Sequence, residues 1–172
     1  MHRNILFALL ITALASGLAL AAEEPKELQA AKKQFEAAPH PDEAARAQYV
    51  TSLAKLRQKL AKSDGNWQAV DAEVIRHPVP ATADSKALSK LRVGKWTSPR
   101  HDYLYRSNGT WTMLPADPET THGVWHIDGN QYFDGVTDTP SDKNKYTLIL
   151  LTAKDFIFTD GEMVFYETRS GK

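Results

Sequence analysis

After Val93, the dipeptides Asn108-Gly109, Asp128-Gly129 and Asp160-Gly161 each stand between stretches of alternating apolar and polar residues. Such dipeptides take the left-handed backbone of a tight hairpin corner at little cost, so each marks a pair of antiparallel neighbours. Reading outward from them gives eight short strands, near 93–98, 102–107, 110–114, 122–128, 130–136, 145–151, 155–159 and 162–169. Pro99, Pro115, Pro118 and Pro140 fall between these strands, where a missing N–H breaks no ladder bond. Eight strands joined by consecutive hairpins make an up-and-down meander, and closing it into a barrel removes the exposed edges.

Register decides which side chains line that barrel, because a slip of one residue exchanges the two faces. In the first hairpin a two-residue turn would mix polar and aromatic residues on both faces. A three-residue turn with Gly109 as the bulge instead pairs Tyr105 with Trp111 and Tyr103 with Met113. The next hairpin is expected to pair Trp125 with Tyr132, and the last to pair Phe158 with Met163 and Phe156 with Phe165. The expected interior is then Tyr103, Tyr105, Trp111, Trp125, Tyr132, Phe156, Phe158 and Phe165. A barrel of this size holds its own side chains or one small ligand, and so many large aromatics on short strands are expected to fill it.

The later strands are apolar on both sides: "KYTLILLT" alternates poorly, and Ile157 and Val164 lie opposite the phenylalanines. Strands of that kind need cover on both faces. The cover is expected from residues 22–76, which read as helix. Leu28, Ala31 and Phe35 recur at helical spacing, and "APHPD" interrupts. A second helix starts near Asp42-Glu43 and carries Tyr49, Leu53, Leu56 and Leu60 on one face, and Trp67, Val70 and Val74 form a third. Residues 77–90, rich in Pro, Ala and Ser, read as a linker to a barrel domain over 91–172. The fold class is α+β, with N-terminal helices followed by an eight-stranded antiparallel up-and-down barrel.

Residues 1–21 have the pattern of an export signal: His2-Arg3, an apolar run from Ile5 to Leu20, and a small-x-small end at Ala19-Leu20-Ala21. A secreted or periplasmic location is expected, with no membrane span once the signal is removed. The chain contains no cysteine, so packing alone must stabilise it. Of 21 basic residues, Arg3 leaves with the signal; the remaining 20 face 21 acidic ones, a net charge of −1. A field that small steers the protein toward neither nucleic acid nor an anionic membrane surface.

"GKW" at Gly94–Trp96, at the start of the first strand, resembles the Gly-x-Trp motif of lipocalins. The resemblance implies that Trp96 closes one end of the barrel and that Arg169, near the end of the last strand, packs across it, a guanidinium over an indole. Thr137-Asp138-Thr139 partly echoes that family's Thr-Asp-Tyr turn. Over about 75 residues the barrel is similar to the small lipocalin-like domains of exported bacterial proteins, here preceded by a helical hairpin.

Candidate chemistry is sparse. His101-Asp102 could pair a base with a carboxylate, yet no cysteine is present, and Ser98 and Ser107 occupy no strand-to-helix elbow. His122 and His126 share a strand face without further ligands to close a zinc site, so no metal is expected. Asp134, Asp138, Asp142 and Asn144 lie in "DGVTDTPSDKNK", whose spacing is not that of a calcium loop and reads as a solvated acidic loop. No cofactor is expected. The sequence points to a non-enzymatic binding or protein-interaction module whose partner is a small molecule or a protein. Binding is expected on the open rim, at Arg100, His101, Asp102, His122 and Asp138. An alternative is that the helical arm docks a partner or a second copy.

Overall fold

The computed structural model describes residues 23–38, 41–63, 65–115, 121–136 and 144–170. Residues 1–21, read as an export signal, the Thr137-Asp138-Thr139 turn and Asp142 lie outside the described residues. Four helices precede the strands: α1 (Lys26–Glu36), α2 (Glu43–Lys62), α3 (Trp67–Val74) and α4 (Ser85–Arg92). The strands are β1 (Gly94–Thr97), β2 (Asp102–Tyr105), β3 (Thr110–Leu114), β4 (His122–Asp128), β5 (Gln131–Gly135), β6 (Lys145–Leu151), β7 (Asp155–Thr159) and β8 (Val164–Arg169). They form a closed barrel in sequence order, all neighbours antiparallel, with β8 returning to β1. Among the described residues no helix is long and apolar enough to cross a membrane.

The first hairpin has the expected register, Tyr105 opposite Trp111 and Tyr103 opposite Met113, with Gly109 at φ 80°. The other two are displaced by two residues. Ile127 faces Tyr132, and Trp125 faces Asp134, because the corner is Gly129-Asn130 rather than Asp128-Gly129. Phe158 faces Phe165 and Phe156 faces Glu167. There the Asp160 side chain accepts the N–H groups of Glu162 and Met163 at 2.9 and 2.8 Å, which caps a four-residue turn. An even slip leaves each side chain on its expected face.

Two apolar clusters result. The inner one contains Trp96, Tyr105, Trp111, Trp125, Tyr132, Phe156 and Phe158, with Tyr103 and Phe165 packed against it. The outer one joins Leu28, Val50, Leu53, Val70 and Val74 of the helices to Ile149, Leu150, Ile157 and Val164 of β6–β8. A bulge between Leu148 and Leu150 explains the poor alternation of "KYTLILLT". Leu148 and Leu151 point inward, while Ile149 and Leu150 both join the outer cluster. The helices thus cover the outer wall of the last three strands. Arg46 of α2 ties them down, donating to the His77 and Ile149 carbonyls at 2.6 and 2.7 Å.

Residues 77–90, expected to be a linker, are an ordered part of the barrel's closed end. Val79 donates to the Leu148 carbonyl at 2.8 Å, and the Asp84 side chain caps α4 by accepting from Lys86 and Ala87. Leu88 and Leu91 of that helix pack into the inner cluster. Trp96 is fully buried and donates to the Arg92 carbonyl at 2.6 Å, with the Arg169 guanidinium 4.6 Å from its ring centre. Arg169 also donates to the carbonyls of Leu91 and Val93. Gly94, at φ 131°, leaves the space for it: a Cβ there would stand 2.4 Å from Arg169 Nη1.

Candidate functional site

The barrel is not filled. A cavity of about 570 Å³, shared between the barrel mouth and the space beside β8, opens at the end opposite α4, which corrects the expectation that the aromatics pack the interior solid. The aromatics meet only in the half that α4 and Arg92 close, where Tyr105 lies 5.9 Å from Trp125 and Tyr132 lies 5.1 Å from Phe156 between ring centres, and in the other half they line walls. Tyr103, Tyr105, Trp111, Tyr146, Phe158 and Phe165 form these walls. The mouth is bordered by Ser98–His101, Val136, Asn144 and Met163, which come from three of the inter-strand connections at that end. Among the described residues Val136 and Met163 are the exposed large hydrophobics, and both stand on this rim.

The mouth continues sideways. β8 pairs with β1 only through Thr168 and Arg169, so Val164–Glu167 have no partner on that side. Both faces of this stretch, together with Arg57 of α2, reach the cavity. Arg57 is held between Trp67 and Tyr166, 4.7 Å from each ring centre, and donates to Asp71 at 3.1 Å.

The floor is polar. Arg92 is fully buried and bonds Glu167 at 2.7 Å, and its guanidinium lies 3.5 Å from the Tyr105 ring centre and 3.8 Å from that of Phe156. Its Nε and Nη2 have no hydrogen-bond partner, so the ring faces stand in for acceptors. Beside it Tyr132 donates to Asp134 Oδ2 at 3.1 Å, and its oxygen lies 3.4 Å from the Tyr105 hydroxyl. Burial raises both phenols, which therefore stay protonated.

Asp134 belongs to β5 and lines the cavity, and is not part of a solvated acidic loop. Burial pushes its carboxyl up to about 6, against the opposing Tyr132 hydrogen bond and Arg92 charge. The sign of the pH effect follows. Between about 4 and about 6 the folded chain holds a proton that the unfolded chain has released, so stability falls as pH rises through that window. Asp134→Asn removes this dependence. Discounted for partial exposure, the substitution should raise stability at neutral pH by about 1–2 kcal/mol. Urea unfolding of both proteins at several pH values checks this, the gap opening across the window.

Of the rim residues expected to bind, Arg100 and His101 stand at the mouth, where the Ser98 hydroxyl accepts both backbone N–H groups. Asp102 does not join them. It pairs outward with Lys95 at 2.7 Å, and that bond holds its carboxyl low. His122 is an exposed residue paired with Thr112 on β3 and is not part of the cavity wall. His126 is stacked on Phe133, ring centres 4.4 Å apart. Among the described residues no group of three or more His, Cys, Asp or Glu could hold a metal ion.

Sequence reasoning does not single out Arg92 and Glu167, and it assigns Asp134 to a solvated loop. The alternation Phe165, Glu167, Arg169 does place Glu167 on the inner face, and Tyr132, Asp134 does the same for Asp134. Arg92 ends α4, a helix in a stretch that reads as linker from sequence. In comparisons with known proteins, no family model, no curated protein and no solved structure matches the chain.

Proposed function

We propose that the chain is a lipocalin-like, non-enzymatic binding module of an exported protein, and that it takes one small, largely apolar molecule into the open half of its barrel. The observation that carries this reading is the cavity of about 570 Å³ with aromatic walls and an apolar rim. Its size falls in the range of small-molecule sites, about 300–1,000 Å³. The lipocalin kinship is supported by the Gly94-x-Trp96 opening and by Arg169 stacked over Trp96 at the closed end. Export is supported by the basic and apolar pattern of residues 2–21. A partner-docking role for the helical arm has less support, because its apolar stripe is already used on the barrel wall.

The neutral fluorophore N-phenylnaphthylamine tests the reading. It should bind the full chain with one-to-one stoichiometry and brighten on entering the barrel. Val136→Trp together with Asn144→Trp, at the rim, should weaken it by about tenfold or more without lowering thermal stability. Unchanged binding in the double variant, or no binding to the wild type, counts against a barrel site.

A further inference from the structure

We infer that the ligand carries a protonated amine, seated against Asp134 and the aromatic faces around it. This rests on the barrel-binding reading above and adds the chemical class of the ligand.

The argument begins with the charges that face the cavity. Glu167 is compensated by Arg92 at 2.7 Å. Asp134 has no cation within ion-pair distance among the described residues, and it accepts a hydrogen bond from Tyr132. With Asp134 ionised, these three groups leave one negative charge in a site largely shielded from water. Arg169 does not offset it, since it lies at the closed end over Trp96, fixed on the Leu91 and Val93 carbonyls. At the mouth Arg57 is paired with Asp71, and Arg100 is exposed to solvent, which screens it.

The walls favour the same sign. Tyr103, Tyr105, Trp111, Tyr146 and Phe158 surround the cavity, and the face of an aromatic ring attracts a cation and repels an anion. An anionic ligand would meet those faces and two carboxylates. A neutral ligand would displace water from Asp134 and return at most an uncharged donor to it. A primary ammonium gives the carboxylate a charge-assisted hydrogen bond and keeps its remaining surface on the rings.

Binding must then depend on pH through Asp134. The titratable and charged groups around it are Tyr132 on its own strand, Tyr103 and Tyr105 from β2, Tyr146 from β6, Glu167 from β8 and Arg92 from α4. Burial raises all four phenols, so they stay neutral in the range where Asp134 gains its proton.

The test is calorimetric titration of the full chain with three probes of one shape: phenethylamine, phenethyl alcohol and hydrocinnamate. The amine should bind about tenfold tighter than the alcohol, the scale of one desolvated cation–aromatic contact, and the carboxylate weakest. Asp134→Asn should bring the amine down to the level of the alcohol and leave the alcohol unchanged. Moving from about pH 7.5 to about pH 5 should weaken the amine alone. Equal affinity for amine and alcohol, or a preference for the carboxylate, overturns the inference. If N-phenylnaphthylamine still binds in that case, the barrel site stands and only the charge assignment falls. If neither the fluorophore nor any of the three probes binds, both readings fall.

Discussion

Arg92→Met destabilises the protein by about 3–5 kcal/mol, the usual loss when one member of a buried ion pair is removed. Methionine can follow the arginine stem, so the packing of α4 changes little. What changes is Glu167, which is 6% exposed and loses its partner. Adding Glu167→Leu should recover most of the loss, because a buried ion pair is worth little more than an apolar pair of similar volume. Urea unfolding of the two single variants and the double variant measures the coupling directly. Losses that simply add would mean that the two side chains do not act as a pair. The outcome also bears on function, since Glu167 of this pair lines the cavity while Arg92 lies fully buried behind it.

The second large effect is at the closed end. Trp96→Ala removes a fully buried indole that touches the Arg92 backbone, the Arg169 guanidinium and the Phe156 ring. The expected cost is about 3–5 kcal/mol, as for other buried tryptophans cut to alanine. Arg169→Lys alone should cost less, because lysine retains the charge but loses the flat stacking surface and the fork that spans two carbonyls. In the Trp96→Ala background that second change should cost less, since the stack is already gone and only the fork on the Leu91 and Val93 carbonyls is left to lose. Thermal unfolding followed by circular dichroism provides all three comparisons. A full Arg169→Lys penalty in the absence of Trp96 would show that the stack is incidental.

Much of this architecture was legible because it follows from periodicity and turn chemistry. Gly109 fixed the first hairpin to the residue, since only the three-residue turn sorted Tyr105 and Trp111 from Arg106 and Thr112. The corners at Asp128 and Asp160 were legible in parity but not in register. An Asp side chain can cap a longer turn, and sequence alone does not say whether Asp160 occupies the corner or braces it. The helical cover was legible from Ile157 and Val164, apolar residues on a face that would otherwise meet water.

What escaped reading was polar. Asp134 and Glu167 sit at inward positions of their strands, yet an acidic residue inside a small barrel is costly unless something answers it. The answering residue for Glu167 is Arg92, 75 residues away and just past the 77–90 segment whose Pro, Ala and Ser content suggests a linker. A pairing that distant is set by tertiary structure, and no local pattern reports it. The same gap hid the cavity. Counting eight inward aromatics suggested a full interior, whereas the volume depends on where α4 stops and how the rings tilt.

The central claim is that the open half of the barrel is a receptacle walled by Trp111 and floored above Trp96. Isotope-labelled tryptophan makes it directly measurable, because the chain has four indoles, Trp67, Trp96, Trp111 and Trp125. On titration with phenethylamine, the Trp111 indole resonance should shift in proportion to occupancy, while that of Trp96, buried beneath Arg92, stays in place. A Trp111 resonance unmoved at saturation, or shifts confined to Trp67 on the outer helical layer, would contradict the account.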